Sequence, residues 1–152
     1  MTEKSTEIVV SSVDGELAVQ CRDILGRIDN EYVVISIVYF FAAEGTPAYK
    51  TNDRILHSVT TTFFTERPMV SYVAQRPMDG RLVAEVTYLK GGAEIERNDD
   101  YFVLRSDGCL ELLTQGIHFP SDGDIGEQSA KVFGRIRDIL GAGTFAVSDI
   151  VR

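Results

Sequence analysis

The sequence predicts one compact domain that combines amphipathic helices with β-hairpins. Apolar residues recur at helical spacing in segments 17–28 and 125–140, which indicates two helices with one buried face each. Segment 32–41 is almost unbroken in apolarity and rich in β-branched residues, which is typical of a central strand. Two hairpin patterns follow, in 69–89 and 101–115. A chain of 152 residues is long enough for one sizeable core.

Composition and charge exclude several classes of protein. The net charge of -8 repels a phosphate backbone, and no stretch concentrates Lys and Arg, so we expect no nucleic-acid partner. The polar N-terminal MTEKSTE has no apolar core, and no apolar run approaches the ~20 residues of a membrane span. We therefore expect a cytoplasmic protein with no membrane partner. Cys21 and Cys109 share no metal-ligand spacing, which predicts two reduced, buried thiols and no metal site.

The first half of the chain reads as alternating strands and helices. An extended piece, Glu7–Ser11, precedes the first helix. After the central strand, Thr51-Asn52-Asp53 supplies helix-start chemistry ahead of apolar residues at helical spacing, and Pro68 provides a stop. At the C-terminal end, Val147–Arg152 predicts the beginning of another strand.

The segment from Met69 to Leu89 predicts an antiparallel hairpin. Its halves, Val70–Ala74 and Leu82–Leu89, are β-branched and aromatic runs joined at Pro77–Gly80. Glu85 falls inside the second strand among apolar neighbours, where a charge is costly unless it is paired or used. Glu85 is therefore the first candidate for a functional residue.

A polar segment at about 90–100 predicts the main internal linker. Beyond it, Tyr101–Arg105 and Cys109–Gln115 flank Ser106-Asp107-Gly108, and Asp-Gly between two apolar runs is a strong hairpin signal.

A short internal repeat relates the two predicted helices. RDILG occurs at Arg22–Gly26 and again at Arg137–Gly141, and the same offset aligns the apolar residues of both segments. The repeat predicts that Ile24 and Ile139 occupy equivalent positions on two helices that lie against the same side of one sheet.

With this repeat, the chain resembles the Rid superfamily, which includes the YjgF and L-PSP endoribonuclease-like proteins, and in particular the tandem Rid-like units of chorismatase-type proteins. Residues 16–89, with FFTERP at Phe63–Pro68, resemble the second half of one Rid unit. Residues 101–152, with LLTQGIHFP at Leu112–Pro120, resemble the first half of the next. The order is permuted relative to a single Rid domain, and the whole chain is interpreted as one Rid-like domain, 1–152.

This resemblance implies an α+β, chorismate-mutase-like fold in which a mixed sheet carries two or three helices on one face. It implies no cofactor, and trimers whose ligand pockets lie in the clefts between subunits. Active deaminases of the family use a strand arginine to hold a substrate carboxylate and a glutamate to position water. Glu85 matches that glutamate, but Met69 or Val70 stands where the arginine belongs. Arg76 is the one nearby residue that could supply the charge instead.

Other candidates follow from the same resemblance. Thr114, Gln115 and Gly116 match the family turn that lines the pocket opposite the glutamate, and the alternative is ordinary strand-end chemistry. His118 is a candidate pocket acid or base, against the alternative of a loop histidine without a role. Tyr101 and Phe102 could close a pocket or belong to the core.

Two functions remain open at this stage. The missing arginine favours a Rid-like small-molecule-binding module, part of a tandem or oligomeric assembly and without imine deaminase activity. The alternative is a Rid-like hydrolase of enamine or imine metabolites with Glu85 as its catalytic residue. The ribonuclease activity attributed to some family members fits poorly with the net charge of -8.

Overall fold

Two compact units make up the chain, Met1–Gly92 and Ala93–Arg152. The computed structural model describes residues 3–119 and 123–150. The division falls inside the predicted linker at 90–100, but that linker is not irregular, because it contains a short strand, Glu94–Arg97. The expectation that both units form a single Rid-like domain stays a prediction.

The first unit contains a four-stranded mixed sheet with two helices. Its elements are β1 (Glu3–Val10), α1 (Leu17–Leu25), β2 (Val33–Phe40), α2 (Gly45–Phe63), β3 (Met69–Val73) and β4 (Val83–Lys90). The strand order is β1-β4-β2-β3, with β2 parallel to β3 and β4 antiparallel to both β1 and β2. The predicted helix at 17–28 and strand at 32–41 are confirmed, with ends shifted by a few residues.

Both helices pack on one face of this sheet. Strands β1, β2 and β3 run in the same direction and are connected through α1 and α2, and right-handed crossovers that progress in one direction place their helices on the same side. The core between helices and sheet includes Cys21, Ile24 and Leu25 of α1 and Leu56 of α2. Alternation along β4 follows from this: Ala84, Val86 and Tyr88 are buried, and the residues between them are half-buried.

The predicted hairpin at 69–89 is wrong. Strands β3 and β4 are not neighbours, because β2 lies between them and pairs with both. Skipping one strand requires a connection of about 10 Å, which segment 74–82 spans easily at ~3.3 Å per residue. The local pattern identified both strands correctly, but the apolar β2 competes for the position between them and occupies it.

Helix α2 begins earlier than predicted. Thr51-Asn52-Asp53 lies inside the helix, which starts at Gly45. Pro47 fits this earlier start, because proline is tolerated in the first turn of a helix, where backbone N–H groups have no partner within the helix. The threonines at 60–62 are accommodated because each hydroxyl donates to a carbonyl oxygen of the preceding turn.

The second unit contains a three-stranded antiparallel sheet and one long helix. Its elements are β5 (Glu94–Arg97), β6 (Tyr101–Ser106), β7 (Cys109–Thr114) and α3 (Ile125–Ala142), followed by a short 3-10 helix, Val147–Asp149. Strand order is β5-β6-β7. Asp107 and Gly108 both have positive φ, 50° and 77°, as a two-residue hairpin turn requires, so the second hairpin is confirmed.

Helix α3 confirms the predicted helix at 125–140. It starts with a capping box, in which the Asp124 carboxylate accepts from the Glu127 backbone N–H and the Glu127 side chain accepts from the Asp124 N–H. The predicted strand at 147–152 is wrong for Val147–Asp149, which form the 3-10 helix, and residues 151–152 lie outside the described residues.

Ile24 and Ile139 are both buried, as the repeat predicts, but they do not belong to helices on the same sheet. Ile24 belongs to the core of the four-stranded sheet, whereas Ile139 lines a cavity with residues of β7. The two sheets are separate, which the short repeat could not reveal. In the part of the chain that the structure describes, no helix is long and apolar enough to cross a membrane.

Candidate functional site

A cavity of about 580 Å³ lies within the second unit, between β7 and α3. Most of its lining is apolar. The contributing residues are Leu110, Glu111, Leu112, Leu113, Thr114, Ile136, Ile139, Leu140, Phe145, Asp149 and Ile150. A volume of this size lies within the range of roughly 300–1,000 Å³ that small-molecule sites occupy.

Strand β7 forms one wall along its whole exposed edge. It is an outer strand of the three-stranded sheet, and the five consecutive residues from Leu110 to Thr114 all reach the cavity. Consecutive residues of a strand point to opposite faces, so contact with all five indicates that the cavity reaches the backbone of this outer strand as well as its side chains. Backbone groups of that edge are therefore available to the cavity as hydrogen-bonding partners.

The segment after α3 forms a further part of the wall. The backbone N–H of Phe145 donates to the carbonyl oxygen of Leu140 at 2.8 Å, which turns the chain back after the helix. A Cβ atom on Gly143 would lie 2.7 Å from Leu112 Cδ1 and 2.9 Å from Phe145 Cδ2. The missing side chain of Gly143 therefore leaves room for Leu112 and Phe145 to approach the backbone at this point.

The polar side chains around the cavity have partners of their own. Thr114 Oγ1 donates to the backbone carbonyl oxygen of Asp100 at 2.7 Å, and the Asp100 carboxylate pairs with Arg135 of α3. Asp149 accepts a hydrogen bond from the Ala146 backbone N–H at 2.8 Å. The Thr114 and Asp100 contacts hold the end of β7 in place and leave the Thr114 hydroxyl proton committed to a protein acceptor.

Of the pocket residues predicted in this unit, Thr114 lines the cavity and the others do not. Thr114 lines the cavity at the end of β7. Gln115, Gly116 and His118 follow the strand and are not among the residues that line it. Gly116 has a φ of 71°, which suits the turn that leaves the strand, and His118 Nδ1 lies 2.7 Å from the Gly116 carbonyl oxygen. Phe102 is buried and does not line the cavity, which agrees with a core role.

Glu85 lies in the first unit, on the sheet face opposite the helices. In β4 its register partners are Ile8 of β1 and Val38 of β2, and the side chain is half-buried. Among residues 3–119 and 123–150, its carboxylate has no hydrogen-bond or ion-pair partner. Glu85 and Thr114 belong to different units, so their pairing across one pocket stays a prediction.

The positions where the resemblance expects an arginine carry no cation. Met69 is the first residue of β3 and is 9% exposed, and Val70 follows it in the strand. Arg76 lies in the segment after β3 and is exposed. Its use as a replacement for the arginine stays a prediction.

Sequence reasoning missed the residues that the C-terminal segment contributes. Phe145 and Ile150 line the cavity, whereas the pattern at 147–152 had predicted a strand. The chain reverses after the Gly143 C-cap at Thr144, whose φ of 62° is uncommon for a threonine, so the sequence carried no clear signal for the return of Phe145 to the helix. The described residues contain no group of three or more His, Cys, Asp or Glu side chains that could hold a metal ion.

Comparisons with family models, with curated proteins and with solved structures find no match for this chain.

Proposed function

We propose that this chain is a Rid-like small-molecule-binding module whose ligand occupies the cavity between β7 and α3. The observation that carries the proposal is the cavity itself, since it combines a ligand-sized volume with a largely apolar lining and a few polar groups at its wall. Its residues come from a strand, a helix and a returning segment, so the walls are built by elements that the fold positions.

Two further features support the Rid-like part of the proposal. The resemblance assigned Thr114 to a pocket-lining turn, and Thr114 lies at the cavity wall. A mixed sheet with both helices of the first unit on one face is compatible with a chorismate-mutase-like fold. The proposal includes a cytoplasmic location and assembly into a trimer or a tandem array, and light scattering that gives the mass of a monomer at micromolar concentration would contradict that assembly.

Binding without imine hydrolysis is the version that the side chains favour. Deamination of the Rid type needs a cation to hold the substrate carboxylate, and the matching position is the buried Met69 or the adjacent Val70. Loss of one charge-assisted hydrogen bond costs about 1.5–3 kcal/mol, before any loss of substrate orientation.

The test uses N-phenyl-1-naphthylamine, an uncharged dye whose fluorescence rises in apolar surroundings. We expect saturable binding with one site per chain. Ile136→Trp on α3 and Leu110→Trp on β7 should each abolish it, because each replaces an aliphatic lining residue with a bulky indole ring. Phe133→Trp is the matched control, since it places the same residue on the exposed side of α3, where Phe133 is 71% exposed.

Circular dichroism and an unfolding curve for each variant separate a blocked cavity from a misfolded chain. Folded Trp variants that bind the dye as well as the unchanged protein, or dye binding that never saturates, would overturn the proposal.

A second candidate function rests on Glu85. A half-buried carboxylate in a central strand, without a partner among the described residues, is a costly arrangement that a hydrolase could use to position water. For this alternative, Rid-like hydrolysis of an enamine or imine should be measurable and should be lost in Glu85→Gln. Glu31→Gln, in an exposed loop, is the matched control. Robust activity that Glu85→Gln and Arg76→Ala both abolish would replace the binding module with the enzyme.

A further inference from the structure

We infer that the cavity between β7 and α3 selects apolar ligands that carry no negative charge. This inference rests on the proposed function and goes beyond it, because it names the ligand class. It also departs from the resemblance, which implies ligands held through a carboxylate.

The charged residues of the cavity lining are acidic. The charged residues that line the cavity are Glu111 and Asp149, and within the described part of the chain no Lys, Arg or His lines it. An anionic ligand would meet like charges, with no guanidinium or ammonium group to pair with it. An uncharged or cationic ligand meets no such repulsion.

The hydroxyl of Thr114 and the guanidinium of Arg135 already have partners within the protein. The Thr114 hydroxyl proton is committed to the Asp100 carbonyl oxygen, and Arg135 of α3 is paired with the Asp100 carboxylate. Neither group is free to neutralise a ligand anion. What the cavity offers instead is the backbone edge of β7, whose amide and carbonyl groups suit a neutral ligand with one or two hydrogen-bonding atoms.

Most of the residues that line the cavity are apolar. Six Leu and Ile residues line the cavity, and Phe145 adds an aromatic ring. They are Leu110, Leu112 and Leu113 of β7 and Ile136, Ile139 and Leu140 of α3. Binding of an apolar body releases water from these surfaces, whereas an ionised group would lose its hydration without compensation. The apolar lining residues and the two acidic ones, Glu111 and Asp149, therefore favour the same class of ligand, an apolar molecule without a negative charge.

The experiment compares two dyes with the same ring system. N-Phenyl-1-naphthylamine is neutral, and 8-anilinonaphthalene-1-sulfonate adds one sulfonate. We expect the neutral dye to bind with a Kd at least about tenfold lower. Asp149→Asn should shift the ratio of the two Kd values toward the sulfonate by about two- to fivefold, the range for one exposed charge. Asparagine keeps an acceptor for the Ala146 N–H, so the turn is retained. Asp138→Asn, on the exposed side of α3, should leave the ratio unchanged.

The outcomes separate this inference from the proposal on which it rests. If both dyes bind equally, or the sulfonate binds more tightly, and Ile136→Trp removes both, the binding site stands and the ligand class is wrong. If the neutral dye does not bind saturably, the binding module and the ligand class fail together. A preference for the neutral dye that Ile136→Trp abolishes supports both.

Discussion

The pair Tyr39 and Thr60 provides a sharp test of how the first unit is stabilised. Both side chains are 0% exposed, and Tyr39 Oη lies 2.8 Å from Thr60 Oγ1. The Thr60 hydroxyl donates to the Leu56 carbonyl oxygen at 2.7 Å, so the proton shared between the two hydroxyls comes from Tyr39. Cys21 Sγ donates to Tyr39 Oη at 3.5 Å, and this contact completes a chain of hydrogen bonds that runs from α1 through β2 to α2.

The direction of this chain predicts unequal costs. Thr60→Val leaves the buried Tyr39 hydroxyl without its acceptor, which should cost about 1–3 kcal/mol. Tyr39→Phe removes a donor while Thr60 keeps its bond to Leu56, so the cost should be close to the ~1 kcal/mol of an ordinary hydrogen bond. The double variant removes both polar groups together and should cost less than the sum, by about 1 kcal/mol or more.

Urea denaturation followed by far-UV circular dichroism measures all three free energies of unfolding, with equal m-values as the condition for comparing them. The reasoning is refuted if the two single costs add, or if Tyr39→Phe is the more damaging change. In either case the hydroxyls would not form one directed chain.

Further predictions concern turns, caps and pH. Gly108→Ala should lower the free energy of unfolding by about 1 kcal/mol, because Gly108 has a φ of 77°. Gly134→Ala inside α3, where a Cβ meets nothing within 4 Å, should raise it by about 0.5–1 kcal/mol. Thermal unfolding of both variants measures the two changes. Asp124→Ala should lower stability by about 1 kcal/mol through loss of the α3 cap, measured by urea denaturation, and an unchanged midpoint would contradict the capping role. Burial and then the Glu7 carboxylate raise the pKa of Tyr88 from 10.0 to about 12. The unfolded chain therefore releases this proton first, so stability should fall as pH rises from 10 to 12, and Tyr88→Phe should reduce the slope of that fall in unfolding curves recorded across this range.

Elements that depend on local signals were predicted correctly from the sequence. The α1 periodicity, the apolar run of β2 and the Asp107-Gly108 turn each identify a structure from neighbouring residues alone. Pairing between distant segments was not predictable in the same way. Strands β3 and β4 were both found, but their pairing depends on β2, which lies far from β4 in sequence.

The candidate site shows the same limit. Thr114 was identified because strand-end residues of that type match a known turn, and it lies at the cavity. Phe145 and Ile150 were missed, since their role depends on a chain reversal after α3 that brings them back to β7. Residues in a cavity wall share a location in space, and the sequence contains no periodicity that would group a strand, a helix and a returning segment.

The exposed edge of β7 has a consequence for self-association. An outer strand with Leu110, Leu112 and Leu113 is a template on which a second chain could add a strand, and such edges promote aggregation unless a charge interrupts them. Glu111 stands in the middle of that apolar run. Pairing of two β7 strands would bring two Glu111 side chains into one interface, so we expect this residue to disfavour self-association along the edge of β7.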